Sequence, residues 1–211
     1  MDHLVVVTGG PGSGKTALIE HLAALGHART VEAGRAIIRD QREIDGPGLA
    51  WRDDDLFAEL MLSWEMRSHR EASAWEGPVF CDRGVPDLVG YFLLRGLPVP
   101  AHVDRAARRF RYHRRVFVAP PWPEIFTGDA ERHQSPEEAE RTHRAMVEAY
   151  PAHGYELVEL PRVPVAERAR FVLDVLGTAA RPGGCGAAGG DSGGTGMGGC
   201  LSRHGGLVHK R

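Results

Sequence analysis

The segment Gly9-Gly10-Pro11-Gly12-Ser13-Gly14-Lys15-Thr16 constrains this chain more than any other part of it. It fits the pattern G-x-x-x-x-G-K-[ST], and its flanks are those that phosphate binding requires. Residues 3–8 before it (HLVVVT) are a continuous apolar, β-branched run, which reads as a strand buried on both faces. After it, from 14 to about 25, Leu18, Ile19, Leu22 and Leu25 fall on one helical stripe. A strand, a glycine turn and a helix in that order bring backbone N–H groups and the positive end of a helix dipole to one point. The glycines let the backbone wrap the β-phosphate, and Pro11, Ser13 and Ala17 complete the binding segment. Lys15 is expected to bridge the β- and γ-phosphates, and Thr16 to ligate magnesium.

Lys15 is informative for a second reason. The chain has 26 basic residues, and all except Lys15 and Lys210 are arginine. A compact ammonium is thus kept at the one position where phosphate chemistry needs a point charge. The same scarcity excludes the N-K-x-D loop by which switch GTPases read guanine, so the expected ligand is ATP with magnesium.

The remaining pattern alternates strands and helices. A short strand around Thr30 and Val31 leads to Glu32 and a helix over 33–42, followed by a loop at 44–51. The acidic triplet 53–55 opens a long helix reaching Trp75, with Leu56, Leu60, Met61 and Trp64 as its apolar stripe. Strand 78–81 ends at Asp82-Arg83-Gly84, and Pro86 starts the next helix. A helix over 101–113, a strand over 116–119, an irregular stretch at 124–134 and a helix from Ser135-Pro136-Glu137-Glu138 to about His153 follow. The last strand and helix are 155–160 and 165–176. This alternation implies a three-layer α/β fold whose mostly parallel sheet is covered on both faces, with ligands beyond the carboxyl ends of the strands. The P-loop, Glu32 and Asp82 all fall at such ends. With 211 residues, one domain over 1–176 is expected, and the glycine-rich composition of 177–211 predicts a disordered tail.

The strand-end pair Asp82-Arg83 bears on the reaction. Asp82 is placed to reach magnesium, to accept a proton from an attacking hydroxyl, or simply to cap the next helix. ATP hydrolases of the ring-forming kind usually carry Glu at the following position to polarise water. Arg83 cannot act as that base but can hold anionic oxygens, which favours transfer to a bound acceptor over programmed hydrolysis.

These features together resemble the AAA-domain P-loop ATPase/kinase family related to the nicotinamide ribonucleotide kinase domain of NadR. The resemblance spans about 3–176 and is carried by VVVTGGPGSGKT, VEAGRAIIR, CDRGVPD, and PPWPEIFTGDAERHQSPEEAERTHRAMVEAY followed by YELVELP. It implies five parallel strands in kinase-type order with the Asp82 strand beside the P-loop strand, a lid at 127–134, and Arg132 reaching the phosphates on closure. A solvated loop arginine is the other reading of Arg132. It also implies an acid near the second strand that takes the acceptor's proton, making Glu32 and Asp82 rival bases unless Glu32 only caps its helix. Arg35 would flank the pocket with Glu32. Asp87 and Tyr91 could touch the acceptor or stabilise their own helix. Nucleosides or ribonucleotides are the acceptors this resemblance favours.

Other features point elsewhere or nowhere. Residues 105–115 hold six arginines interleaved with Phe110 and Tyr112, which superficially suggests nucleic acid, but a solvated helix face explains them as well. A formal net charge of −2 gives no global attraction to polyanions or anionic membranes. No leader-like start and no run near the roughly 18 apolar residues of a membrane span are visible, so a cytoplasmic location is expected. Cys81 reads as a buried small hydrophobe, and His69, His113 and His143 as surface residues. Three functions follow: a small-molecule kinase, a regulatory ATPase or nucleotide-dependent binding protein, and, more weakly, a nucleic-acid-dependent enzyme.

Overall fold

The computed structural model describes residues 3–125 and 135–177. The expected lid at 127–134 with its Arg132, and the tail beyond Gly177, lie outside the described residues. Five strands form one sheet: β1 (Leu4–Gly9), β2 (Ala28–Arg29), β3 (Val79–Asp82), β4 (Arg115–Ala119) and β5 (Glu156–Glu159). Their order is β2-β3-β1-β4-β5, every pairing is parallel, and β3 lies beside β1 with Val7 opposite Asp82. Seven α-helices are described: α1 (Lys15–Ala24), α2 (Ala33–Glu43), α3 (Asp54–Ala72), α4 (Val85–Leu94), α5 (Ala101–Arg109), α6 (Pro136–Ala152) and α7 (Val165–Leu176).

The apolar run of β1 is continuous because both of its faces meet helices. Leu4 and Val6 belong to a core built with α3, α4, α5 and α6, while Val5 and Val7 belong to one built with α1 and α7. Alternate side chains of a strand point to opposite faces, so a central strand needs apolar residues at every position. Side chains of this size buried fully contribute about 1.5–3 kcal/mol each, which makes β1 the best-anchored support for the turn that follows it. Caps visible in the sequence form as expected: Asp53 Oδ1 accepts from Leu56 N–H at 2.9 Å and Ser135 Oγ from Glu138 N–H at 3.2 Å.

Several local expectations are corrected. The second strand is Ala28–Arg29, ahead of Thr30, whose N–H still reaches the Phe80 carbonyl. Leu25 caps α1 and is exposed rather than part of its stripe. Helix α5 ends at Arg109 because Phe110 turns extended and goes, with Tyr112, into the core. Those aromatics therefore do not interleave with arginines on the surface. Arg108 pairs with Asp104, Arg114 and Arg115 with Glu156, and Arg111 donates to the His153 carbonyl while stacking on Tyr155. The buried face of α3 is Phe57, Ala58, Leu62, Glu65, His69 and Ala72, one position round from the expected stripe. The helix serves two clusters, so Leu60, Met61 and Trp64 lie partly buried against a second, smaller core of Ile37, Ile38, Leu49 and Phe57. His69 is accordingly buried, its Nε2 donating to the Arg111 carbonyl at 2.8 Å.

Glu65 is the most unusual member of that face. Burial, and then the negative charges of Asp87 and Asp82, raise its carboxyl well above the ordinary value of 4.5. A folded-state value above the unfolded one stabilises the fold at low pH, and the contribution is lost as pH rises from the unfolded value through the folded one. Glu65→Gln is therefore expected to melt close to wild type at pH 5 and several degrees above it at pH 8, read by thermal denaturation at both. A variant that melts below wild type at pH 8 would show the carboxylate to be needed in its charged form. Among the described residues no helix is long and apolar enough to cross a membrane.

Candidate nucleotide and acceptor sites

The P-loop begins where β1 ends. Gly9 has φ 129°, and a Cβ there would stand 2.4 Å from the Ala119 carbonyl oxygen, so β1 and β4 approach too closely at this point for any side chain. Gly10 is hemmed in as well, since a Cβ there would stand 2.2 Å from the Ala139 carbonyl oxygen of α6. Neither glycine is among the residues that line the cavity, whereas Pro11, Gly12, Ser13, Gly14, Lys15, Thr16 and Ala17 do. Gly14 adopts left-handed φ 75° as N-cap of α1, and the first turn of that helix, whose N–H groups have no partner within it, lines this cavity from Gly14 to Ala17. Its volume is about 610 Å³, and Glu32, Arg35, Arg83, Trp122, Pro164 and Arg168 complete its walls.

Lys15 is buried at the centre of the loop. Its Nζ donates to the Gly10 carbonyl at 2.5 Å and to Ser13 Oγ at 3.3 Å, while Ser13 Oγ donates to the same carbonyl at 2.7 Å. Burial, and then the positive charge of Arg83, pull the ammonium down to about 7, against the carboxylates of Asp82, Glu32 and Asp87. A cation so poorly compensated gains strongly from an anion placed beside it.

Three acids surround Arg83, and they differ in how much of their capacity the protein uses. Asp87 accepts from Thr8 Oγ1 at 2.6 Å, Arg83 Nη1 at 2.9 Å, Gly84 N–H at 3.0 Å and Tyr150 hydroxyl at 2.5 Å. Both of its oxygens thus tie β1, α4 and α6 together around the arginine. Glu32 pairs with Arg35 at 3.1 Å and with Arg83 Nε at 3.4 Å. It occupies the N-cap position of α2, but its side chain makes no capping bond. Asp82 differs again: it is buried, and its Oδ1 has no hydrogen-bond partner among the described residues. Burial, and then the negative charge of Glu32, push it up to about 6, against the positive charges of Lys15 and Arg83. Arg83 itself has φ 73°, a left-handed conformation uncommon for a side-chain-bearing residue and a mark of local strain at this strand end.

A second cavity of about 730 Å³ opens on the other side of Glu32 and Arg83, which line both. Ile38, Leu49, Phe57, Met61, Leu88 and Met146 give it apolar walls. Arg42 stacks over Trp51 at 5.3 Å, and both belong to its lining, while the Tyr91 hydroxyl donates to Asp54, whose other oxygen pairs with Arg95 at 2.6 Å. The volume and the mostly apolar lining with a few convergent polar groups suit a small organic ligand. Of the residues picked out from sequence, the P-loop, Glu32, Arg35, Asp82, Arg83 and Asp87 are brought together here. Trp122, Arg168 and Tyr150 were not found from sequence, because nothing in their local spacing marks them.

A parallel sheet with β3 and β4 flanking the P-loop strand, and a second cavity beside the phosphate cradle, define a P-loop nucleotide-binding protein with the sheet order of the kinases. The sequence pattern of the AAA domain family matches residues 4–168, and the chain belongs to that family. Solved structures similar to it include a deoxyadenosine kinase from M. mycoides, at 13% identity and TM-score 0.61, covering 82% of this chain and 98% of that one. NadR in complex with NR aligns at 19% identity and TM-score 0.64 over 86% of this chain, which spans only 53% of that protein. Thymidylate kinase from Ehrlichia chaffeensis aligns at 15% identity and TM-score 0.56, covering 84% and 99% of the two chains. At these identities the likeness is one of fold. No curated protein sequence matches the chain.

Proposed function

We propose that this protein is a small-molecule kinase that transfers the γ-phosphoryl group of MgATP to a hydroxyl of a nucleoside- or ribonucleotide-like acceptor. The observation that carries the reading is the pair of cavities meeting at Glu32 and Arg83, one floored by the P-loop and the other large enough for a second small molecule. A hydrolase needs only the first cavity, whereas a transferase needs both. The structural likeness to nucleoside and nucleotide kinases supports the same reading.

In this arrangement the donor triphosphate lies along the P-loop N–H groups and Lys15. The acceptor occupies the apolar cavity with its hydroxyl at Glu32, which accepts the proton as the new phosphoester bond forms and the bond to ADP breaks. Arg83, held by Glu32 and Asp87, places positive charge where the two substrates meet. The donor set fits magnesium: Thr16 lines the phosphate cavity and Asp82 keeps a buried, unpartnered oxygen. Thr16 and Asp82 would hold the ion, which neutralises charge on the phosphoryl oxygens when bound. Magnesium is commonly held by one or two protein oxygens together with phosphates and water, so a larger acidic cluster is not required. Asp82 is thereby assigned to the metal side of the site and Glu32 to the base.

The test is an ATP-consumption screen across pooled hydroxyl metabolites, ribosides first. At least one pool is expected to accelerate ADP release well above the metabolite-free rate, with the acceptor gaining one phosphoryl group by mass. A slow hydrolysis that no pool accelerates would transfer the site to a regulatory ATPase.

A further inference from the structure

Arg168 is a buried cation with no countercharge among the described residues. It belongs to α7, is 3% exposed, and donates through Nη1 to the Ser13 carbonyl at 3.2 Å and the Gly14 carbonyl at 3.5 Å. Its guanidinium carbon lies 5.7 Å from the centre of the Trp122 ring, and its Nε has no partner among the described residues. No carboxylate among the described residues pairs with it, and burial lowers its affinity for the proton. It also stands at the fourth position of its helix, near the positive end of that dipole, where a cation is disfavoured.

A buried guanidinium with no acid among the described residues, and close to a positive helix end, costs stability unless something else offsets it. The contacts it does make indicate what that is. The Ser13 carbonyl shares a peptide unit with Gly14 N–H, and the Gly14 carbonyl with Lys15 N–H. These two amides lie in the part of the loop that turns toward the phosphate cavity. Donation to their carbonyls fixes the two peptide planes and polarises their N–H groups as donors, since linked hydrogen bonds strengthen one another. The fit is close, because a Cβ at Gly14 would come within 2.7 Å of Arg168 Nη1. Arg168 also lines the phosphate cavity itself.

We infer that Arg168 is a positioning residue for the donor nucleotide: from the wall of the phosphate cavity it orients the Gly14 and Lys15 amides, and the triphosphate provides the countercharge that no described residue supplies. This rests on the P-loop cavity being the donor site. A purely structural arginine would stabilise the fold, whereas this one stabilises the complex at the expense of the free protein.

The experiment uses the full chain and two titrants, MgATP and magnesium tripolyphosphate, which has the phosphates without the base. Arg168→Met keeps length and bulk while removing charge and donors, and Arg168→Lys keeps the charge alone. Arg168→Met is expected to weaken both titrants by the same factor, roughly tenfold to a hundredfold on the scale of lost charged hydrogen bonds. Its melting temperature should be equal to or above that of wild type, and Arg168→Lys should recover part of the affinity. Unchanged binding of both titrants by Arg168→Met would overturn the inference. So would loss of MgATP affinity alone, which would make Arg168 a platform for the base through Trp122, or a marked fall in melting temperature, which would make it structural. Should Arg168→Met not fold, the structural role is established and the inference fails. Failure of wild type to bind either titrant would instead count against the donor site as such.

Discussion

Lys15→Ala is expected to fold and to lose phosphoryl transfer. Its ammonium lies buried among P-loop carbonyl and hydroxyl oxygens, pulled down to about 7, and is preorganised to meet charge developing on the β- and γ-phosphates. Removing such a group costs about 3 kcal/mol or more in the transition state, a fall in kcat above roughly a hundredfold. Because the free protein holds this cation against desolvation, the variant should melt no lower than wild type. Steady-state kinetics with saturating acceptor and a thermal melt read the two effects together. Turnover at the wild-type rate would remove the site from the P-loop.

Glu32→Gln separates the two acids that sequence left as rivals. Glu32 lies on the wall common to both cavities, whereas Asp82 lines neither and keeps a buried oxygen without a partner among the described residues. Loss of a positioned base typically costs 10²–10⁴-fold in rate. Glu32→Gln should therefore lower transfer by about that range while leaving MgATP affinity within a few-fold of wild type. Asp82→Asn should act the other way, weakening nucleotide binding in a manner that raised magnesium partly restores. If Asp82→Asn instead kept normal magnesium-dependent binding and lost only the chemical step, the roles would be exchanged.

What the sequence could reveal follows from how locally each feature is encoded. The phosphate cradle is contiguous, and its strand and helix have their own periodicity, so Gly9 to Thr16 could be placed before any coordinates. The burial of β1 on both faces was legible for the same reason. Strand order was not contained in periodicity and came from the family resemblance; the β3–β1 adjacency then appears in the register of Val7 with Asp82. The face of α3 was misplaced because that helix packs on two clusters at once, which broadens its buried arc beyond a single stripe. His69 was read as exposed because its partner, the Arg111 carbonyl, lies 42 residues away in sequence. Asp87 stayed open in the sequence between an acceptor contact and a helix role because its four donors come from Thr8, Arg83, Gly84 and Tyr150, two of them far along the chain. The second cavity draws on α2, the loop before α3, and α3, α4 and α6, so no single segment announces it. Arg168 was invisible for a related reason: one arginine among many acquires meaning only from the carbonyls it meets.

The most direct measurement is isothermal calorimetry of the full chain with MgATP, with and without magnesium, on wild type and Lys15→Ala. One nucleotide is expected to bind per wild-type chain, more weakly when magnesium is chelated and far more weakly to Lys15→Ala. No heat of association with any adenine or guanine triphosphate, in the presence of magnesium, would contradict the assignment of the loop at Gly9 to Thr16 as a nucleotide site.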